Sequence, residues 1–293
     1  ALGASLGAWL GSALSRELVN YLDAYGLIVA GAFTLALSII PASRAGLSVP
    51  EGSRGQRESG ETAQPSIFAG FQLVFSRRYL MLMAAFVIML NLVNTTGEYL
   101  LSAILENLYA TGSAAGEIVV DKGTYVGRFY GGFYFLVNLF GVLIQFFAVS
   151  RLIRIAGFSI AFALTPLVIF LGYASLALLP IVGWFRYFKI AENSLDYSLQ
   201  NTARQMLYLP LSRQEKYEAR AVIDPFGQRF GDLIQAGLIF FGLNVLGWAS
   251  TEFIPLAAVM AAGTLILALL IIRERSRLLA AQQGTGTDNL GGE

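Results

Sequence analysis

Residues 158–200 read FSIAFALTPLVIFLGYASLALLPIVGWFRYFKIAENSLDYSLQ, and the contrast between their two halves decides the fold. From Phe158 to Leu179 there is no Asp, Glu, Lys or Arg; after an uncharged turn at Pro180–Gly183, the next run carries Arg186, Lys189, Glu192 and Asp196. A bilayer core of about 30 Å takes roughly 20 apolar residues as helix, so each half is of spanning length. Lipid leaves backbone groups no outside partner, so only helices or closed barrels cross it, and a long apolar run without strict alternation is helical. A span without charge can meet lipid on every side. A span with a charged stripe must turn that stripe toward protein or water.

Outward from this pair, the same reading finds eight spans, near 1–15, 25–42, 79–104, 125–150, 158–180, 184–208, 223–248 and 253–272. The expected fold class is all-α, a polytopic helical membrane protein. Composition agrees: of 293 residues 56% are hydrophobic and only 13% charged, about half the charge of an ordinary soluble domain. There is no histidine and no cysteine. That removes imidazole bases, thiol nucleophiles, Cys/His zinc sites, haem and iron–sulfur ligation, and disulfides. No Walker or Rossmann glycine pattern is present, and a net charge of +1 leaves no nucleic-acid footprint. No enzyme, cofactor or metal is expected. The chain opens at Ala1 inside an apolar stretch with no basic lead-in, which reads as a start partway through a span, with further N-terminal helices preceding it.

Basic residues set the orientation. Arg44, Arg54, Arg57, Arg77 and Arg78 lie between spans two and three; Arg151 and Arg154 follow span four; Arg213, Lys216 and Arg220 follow span six; Arg273, Arg275 and Arg277 follow span eight. The intervening loops are poor in them, so the 43–78 loop and the C-terminus read as cytoplasmic, in a bacterial inner membrane. The Ser-, Gly-, Glu-, Arg- and Pro-rich stretch 43–66 reads as linker, and the polar, Gly-rich tail after Gln282 as disordered. Between linker and span three, Phe68, Phe71 and Phe75 recur at helical spacing, as in a short interfacial helix.

Spans two, five and eight lack charged residues in their interiors, whereas three, four, six and seven carry polar stripes. A period of three helices suggests a three-helix repeat with one peripheral member, and transporters built from repeats place their site near the midplane. In span three, Asn91, Asn94, Thr95 and Glu98 share a face; in span four, Asn138 and Gln145; in span six, Arg186, Lys189, Asn193, Asp196 and Gln200, with Glu192 beside them; in span seven, Gln228, Asp232 and Gln235, with Arg229 three before Asp232. Each stripe has two readings. Asn138 and Gln145 suit interhelical hydrogen bonds as well as a path lining, Lys189 with Glu192 suits a structural ion pair, Glu98 suits the outer lip, and Arg186 can snorkel. Gly3, Gly7 and Gly11 form a small-residue ridge suited to close packing. The expected solute path is Asn91, Asn94, Glu98, Asn138, Lys189, Glu192, Asn193 and Asp196. Without histidine, proton coupling would run through Glu98, Glu192 or Asp196.

The three-helix periodicity and central cytoplasmic loop resemble the major facilitator superfamily. That resemblance implies the last eight of twelve helices, divided as 1–42 (end of the first half), 43–78 (linker), 79–273 (second half) and 274–293 (tail). One stretch is more specific: Tyr197-Ser198-Leu199, then Met206, Tyr208, Pro210-Leu211, Lys216, Ile223-Asp224 and Arg229-x-Gly231, with Asn91-Leu92-Val93 upstream, is similar to motifs of the nucleotide (ATP/ADP) translocase family. The resemblance implies alternating-access exchange of a charged solute. It departs at two places: the family's glutamate after N-L-V is Asn94 here, and the lysine of its R-x-G-K-S is Asp232. A nucleotide wants cationic contacts, so both a nucleotide exchanger and a carrier of another small polar or charged solute remain open, as does a non-transporting scaffold or sensor module. The same stretch also suits an inner gate formed by Arg204, Arg213, Lys216, Asp224, Arg229 and Asp232. The expected partners are a small solute, a proton or counter-substrate, and the bilayer.

Overall fold

The computed structural model describes residues 2–22, 24–47, 67–178 and 182–288, and these are mostly helical with no strand among them. The elements are α1 (Leu2–Leu18), α2 (Ala24–Leu47), α3 (Ile67–Ser76), α4 (Arg78–Ala114), α5 (Lys122–Leu143), a π-helical turn π1 (Ile144–Ala148), α6 (Val149–Leu178), α7 (Val182–Leu195), a second π-helical turn π2 (Asp196–Gln200), α8 (Asn201–Met206), α9 (Arg213–Asn244), a 3₁₀ turn (Ser250–Glu252) and α10 (Phe253–Asp288). Most of the linker, the turn residues 179–181 and the last five residues lie outside the described residues.

Three helical runs are long and apolar enough to cross a membrane: Arg78–Ala114, Lys122–Leu178 and Ser250–Gln282; a shorter apolar helix covers Tyr25–Pro41. The second run is 57 residues, about 85 Å at 1.5 Å per residue, too long for one crossing. Gly157 breaks it, with φ 78° and ψ 170°, a conformation that glycine reaches without Cβ strain. The charged helices α7 and α9 are absent from this set because their stripes lower the hydropathy.

Three boundaries differ from the sequence reading. α4 continues to Ala114, well past the expected end near 104. It stops where Gly116 takes φ 73° and the Glu117 and Ile118 amides donate to the Gly112 carbonyl at 2.9 and 3.2 Å, a left-handed C-terminal cap. α9 starts at Arg213 rather than near 223, because Ser212 and Glu215 form a reciprocal capping box. α10 runs on to Asp288, so the stretch after Gln282, expected as disordered, is helical as far as that residue.

The helices group into two units, Ala1–Gln64 with Tyr109–Asn138, and Pro65–Leu108 with Leu139–Glu293. In the first, α1 packs on α5. Trp9 meets Phe135 at 6.2 Å, the Arg16 guanidinium lies 5.4 Å from the same ring, and Gly127 and Gly131 admit Val19 and Arg16 closely. The ridge of Gly3, Gly7 and Gly11 has nothing within 4 Å of where its Cβ atoms would be, so among the described residues it is not the packing face that its spacing suggested.

In the second unit, α4 supplies buried Leu80, Met83, Phe86, Val87, Val93, Leu100 and Leu101. Phe86 meets Phe162 of α6 at 5.0 Å. α10 packs along α6, and it contributes buried Ala257, Ala261, Ala268 and Ile271. The Arg275 guanidinium sits 4.1 Å from the Phe158 ring, a cation–π contact between these two helices. The short helix α3 lies on α9: Gly70 faces Val222 and the Glu218 carbonyl, and Phe71 meets Phe226 at 4.9 Å. Phe68 and Phe75 stay 85% and 73% exposed.

Candidate functional site

The sequence puts an ammonium on α7 in an otherwise aromatic stretch, and the fold encloses it. Lys189 is fully buried, and its side chain reaches α4 as well as its own helix. Nζ donates to Asn94 Oδ1 at 3.2 Å, lies 3.4 Å from Glu98 Oε1 and 3.0 Å from Glu192 Oε2. One hydrogen bond and two ion pairs thus surround the buried side chain, and buried charges are kept where they are paired. Glu192 is itself buried, whereas the Glu98 side chain keeps 30% of its surface. Asn193, one residue on, donates Nδ2 to Glu98 Oε1 at 3.0 Å. Glu98 therefore joins α4 to α7 through two partners. Beyond it α4 runs sixteen residues further, to Ala114.

Helix packing makes the enclosure possible. Gly97 lies beside the cluster, and a Cβ there would coincide with the Tyr173 hydroxyl of α6 and lie 2.8 Å from Lys189 Nζ. Gly172 plays the same part for the Phe188 ring. Tyr173 is fully buried, and its hydroxyl lies beside the Glu192 and Glu98 carboxylates. The sequence reading passed over this residue because it occupies a span without formal charge. A tyrosine hydroxyl in a largely apolar run was the available signal.

The expected path residues do not all come together. Asn94, Glu98, Lys189, Glu192 and Asn193 form the cluster. Asn91, one turn below Asn94 on α4, points to α9 instead, donating to the Gln228 carbonyl at 2.8 Å and to Asp232 Oδ1 at 2.7 Å. Gly231 makes room for this, since its Cβ position is 2.9 Å from Asn91 Nδ2. Asn138 belongs to the other unit, where it donates to the Ala8 carbonyl at 3.2 Å and to Ser12 Oγ at 3.3 Å; these are the interhelical bonds of the plainer reading. Asp196 opens π2, half-buried, one turn beyond Glu192. π2 touches π1, and π-helical turns are enriched at functional positions.

The expected gate residues are spread along α8 and α9. Asp224 accepts from the Tyr208 hydroxyl at 3.1 Å and from Arg220 Nε at 3.2 Å. Arg229 lies 3.9 Å from Asp232 with 87% of its side chain exposed. Arg213 is exposed, and Arg204 and Lys216 are half-buried. Two contacts absent from the sequence reading tie this end to the start of α4 and the residue before it: the buried Tyr79 hydroxyl donates to the Leu207 carbonyl at 2.8 Å, and Arg77 Nη2 pairs with Glu215 Oε1 at 2.9 Å.

Comparison with known proteins bears on this geometry. Residues 170–278, which contain α7 to α9, match a family described as TLC ATP/ADP transporter. The chain is 31% identical to ADP,ATP carrier protein 1 of Chlamydia pneumoniae over 38% of its own length and 26% of the relative's. It is 29% identical to the proteins of that name from Chlamydia trachomatis and Chlamydia muridarum, over 59% of this chain and 35% of each relative. The chain thus spans about a quarter to a third of the curated relatives it matches. No solved structure matches it.

Proposed function

We propose that the chain is part of a secondary transporter of the nucleotide-translocase kind, moving a small polar or charged solute by alternating access, with the Lys189 cluster on the solute path. The observation that carries this reading is the fully buried Lys189, held by Asn94 and Glu98 of α4 and Glu192 of α7. Charges at membrane depth are costly and are kept mainly where solutes or ions pass. A cluster shared by two helices also has two natural arrangements, paired across the helices or parted, which is what rocking of one helix group against another requires. The match of residues 170–278 to an ATP/ADP transporter family supports the same reading.

Glu98, Glu192 and Asp196 are the coupling groups in this scheme, and the pairs at Asp224 and Asp232 with Arg77–Glu215 form the gate at the side that the Arg-rich loops assign to the cytoplasm. In proteoliposomes holding the purified protein, flux is measured for a panel of nucleotides, amino acids and sugars. Glu192→Gln and Asp196→Asn are expected to lower flux at least tenfold and to flatten its pH dependence. Unchanged flux with an unchanged pH profile in both variants would refute the coupling assignment. A nucleotide exchanger proper is the second reading, favoured by the carriers' names; thermal stabilisation by ATP or ADP would support it despite Asn94 and Asp232.

A further inference from the structure

We infer that α3 is a docking surface for an anionic lipid leaflet: Phe68 and Phe75 enter the leaflet, and a lipid phosphate takes Arg77 from Glu215. The ten residues Ile67–Ser76 form a helix with two unlike faces. The inner face is fixed on α9. A Cβ at Gly70 would lie 2.7 Å from Val222 Cγ2 and 2.9 Å from the Glu218 carbonyl, Phe71 meets Phe226 edge-on at 4.9 Å, and Val74 is buried. The outer face carries Phe68, Gln72 and Phe75, four and three residues apart and all exposed. Exposed aromatic rings beside basic side chains are the make-up of a helix that lies in the headgroup boundary. Its position agrees, because only Arg77 separates α3 from the run Arg78–Ala114, which is long and apolar enough to cross a membrane.

Charge identifies the occupant. Arg78 and Arg213, at the starts of α4 and α9, are exposed and have no ion pair among the described residues. Arg77 has one, with Glu215 Oε1 at 2.9 Å, yet 62% of its side chain is open to an approaching anion. Losing Arg77 does not strand Glu215. Its other oxygen accepts from the Ser212 amide at 3.1 Å, in the capping box of α9, where the helix dipole favours a negative charge. A phosphate diester offers a guanidinium the same forked geometry as a carboxylate, and an anionic leaflet concentrates such groups at its surface. Arg77 thus has two alternative partners. With Glu215 it fastens the α3–α4 junction to α9; with a lipid phosphate it lets go. The three arginines come from the junction, α4 and α9 and form no stripe on one helix, which suits the diffuse charge of a leaflet better than the fixed pattern of an acidic protein.

The chain has no cysteine, so introduced cysteines carry the only spin labels. The full chain is placed in vesicles of phosphatidylcholine alone or of an equal mixture with phosphatidylglycerol. In the mixture, a label on Phe75→Cys is expected to be severalfold more accessible to oxygen than to a water-soluble nickel complex. A label pair on Ser76→Cys and Gln214→Cys, both exposed positions, should read a longer distance in the mixture than in phosphatidylcholine. Arg77→Gln, added to that pair, should give the longer distance in both vesicles and abolish the difference. Arg151→Gln, which removes an exposed charge of α6, should leave the difference intact. A Phe75→Cys label open to water, or shielded from both probes by protein, would overturn the docking. Equal distances in the two vesicles, or a difference that survives Arg77→Gln, would overturn the exchange of partners. So would the same lengthening produced by inorganic phosphate over phosphatidylcholine, which would make a soluble anion the partner. None of these readouts requires flux, so they decide the lipid inference separately from the transporter reading.

Discussion

Replacing Lys189 by methionine is expected to lower unfolding stability by about 3–5 kcal/mol, the loss typical when one partner of a buried ion pair is removed. The size follows from what stays behind. Glu192 is 1% exposed, and Lys189 at 3.0 Å is its charge partner, so without the lysine its carboxylate stands uncompensated in an apolar bundle. Glu98 fares better because its partly open side chain can still be hydrated. The decisive comparison is the double variant Lys189→Met with Glu192→Gln. If the loss comes from the stranded charge, the double variant recovers most of it, and stability measured by denaturant titration in mixed micelles will rank wild type, double variant, single variant in that order. Equal stability of single and double variants would show that the pair is not what makes Lys189 matter. Flux should be lost in both, since both remove the cluster's only cation.

Gly97→Ala is the second substitution with a large expected effect, and its sign runs against helix propensity. At an open helical position, alanine is better than glycine by about 1 kcal/mol; Gly31 of α2, with nothing within 4 Å of its Cβ position, is such a position. At Gly97 the new methyl would coincide with the Tyr173 hydroxyl and press on Lys189 Nζ. Neither neighbour has slack, because Tyr173 is enclosed and Lys189, fully buried, is held by one hydrogen bond and two ion pairs. Overpacking of this kind typically costs about 1–3 kcal/mol, and the displaced lysine should also reduce flux. Tyr173→Phe removes the atom in the way. The combination Gly97→Ala with Tyr173→Phe is therefore expected to be more stable than Gly97→Ala alone, with a coupling of about 1 kcal/mol or more between the two sites. Additive effects would mean that the clash is relieved elsewhere. Gly31→Ala serves as the control and should be neutral or slightly stabilising.

The order of helices was legible because the spans announce themselves through runs of apolar residues, and the faces of α4 and α7 because Asn94 and Glu98, or Lys189 and Asn193, recur at helical spacing. Spacing names a face, however, and not the partner across from it. Asn91 and Asn94 share a stripe, yet one turn of helix and the placing of Gly231 send Asn91 to Asp232 and Asn94 to Lys189. The stripe arithmetic also assumes one constant turn. It fails at Asp196–Gln200, where a π-helical turn holds an extra residue, so Gln200 no longer lies above Asp196 as the 3.6-residue period places it. Boundaries suffered where hydropathy and capping disagree: charged residues hid the first turns of α9, although the Ser212-to-Glu215 capping box was readable. Tyr173 stayed hidden for a different reason. Its importance comes from a glycine on another helix, and no local pattern encodes that.

The placement of the ion pairs makes dissolved salt a selective tool. Mobile ions weaken interactions they can approach, with a reach of about 8 Å at physiological ionic strength, and act far less on pairs sealed from water. Arg77–Glu215 and Arg220–Asp224 have exposed arginines, 62% and 46% by side chain, whereas Lys189 and Glu192 present almost no surface. Raising the electrolyte concentration should loosen Arg77–Glu215, which joins the residue before α4 to α9, and Arg220–Asp224 within α9, while leaving the central lysine's shell intact. Osmotically matched chloride titrations would then separate the rate at which the protein opens from the affinity with which it holds its cargo, two quantities that a point substitution at either place would mix.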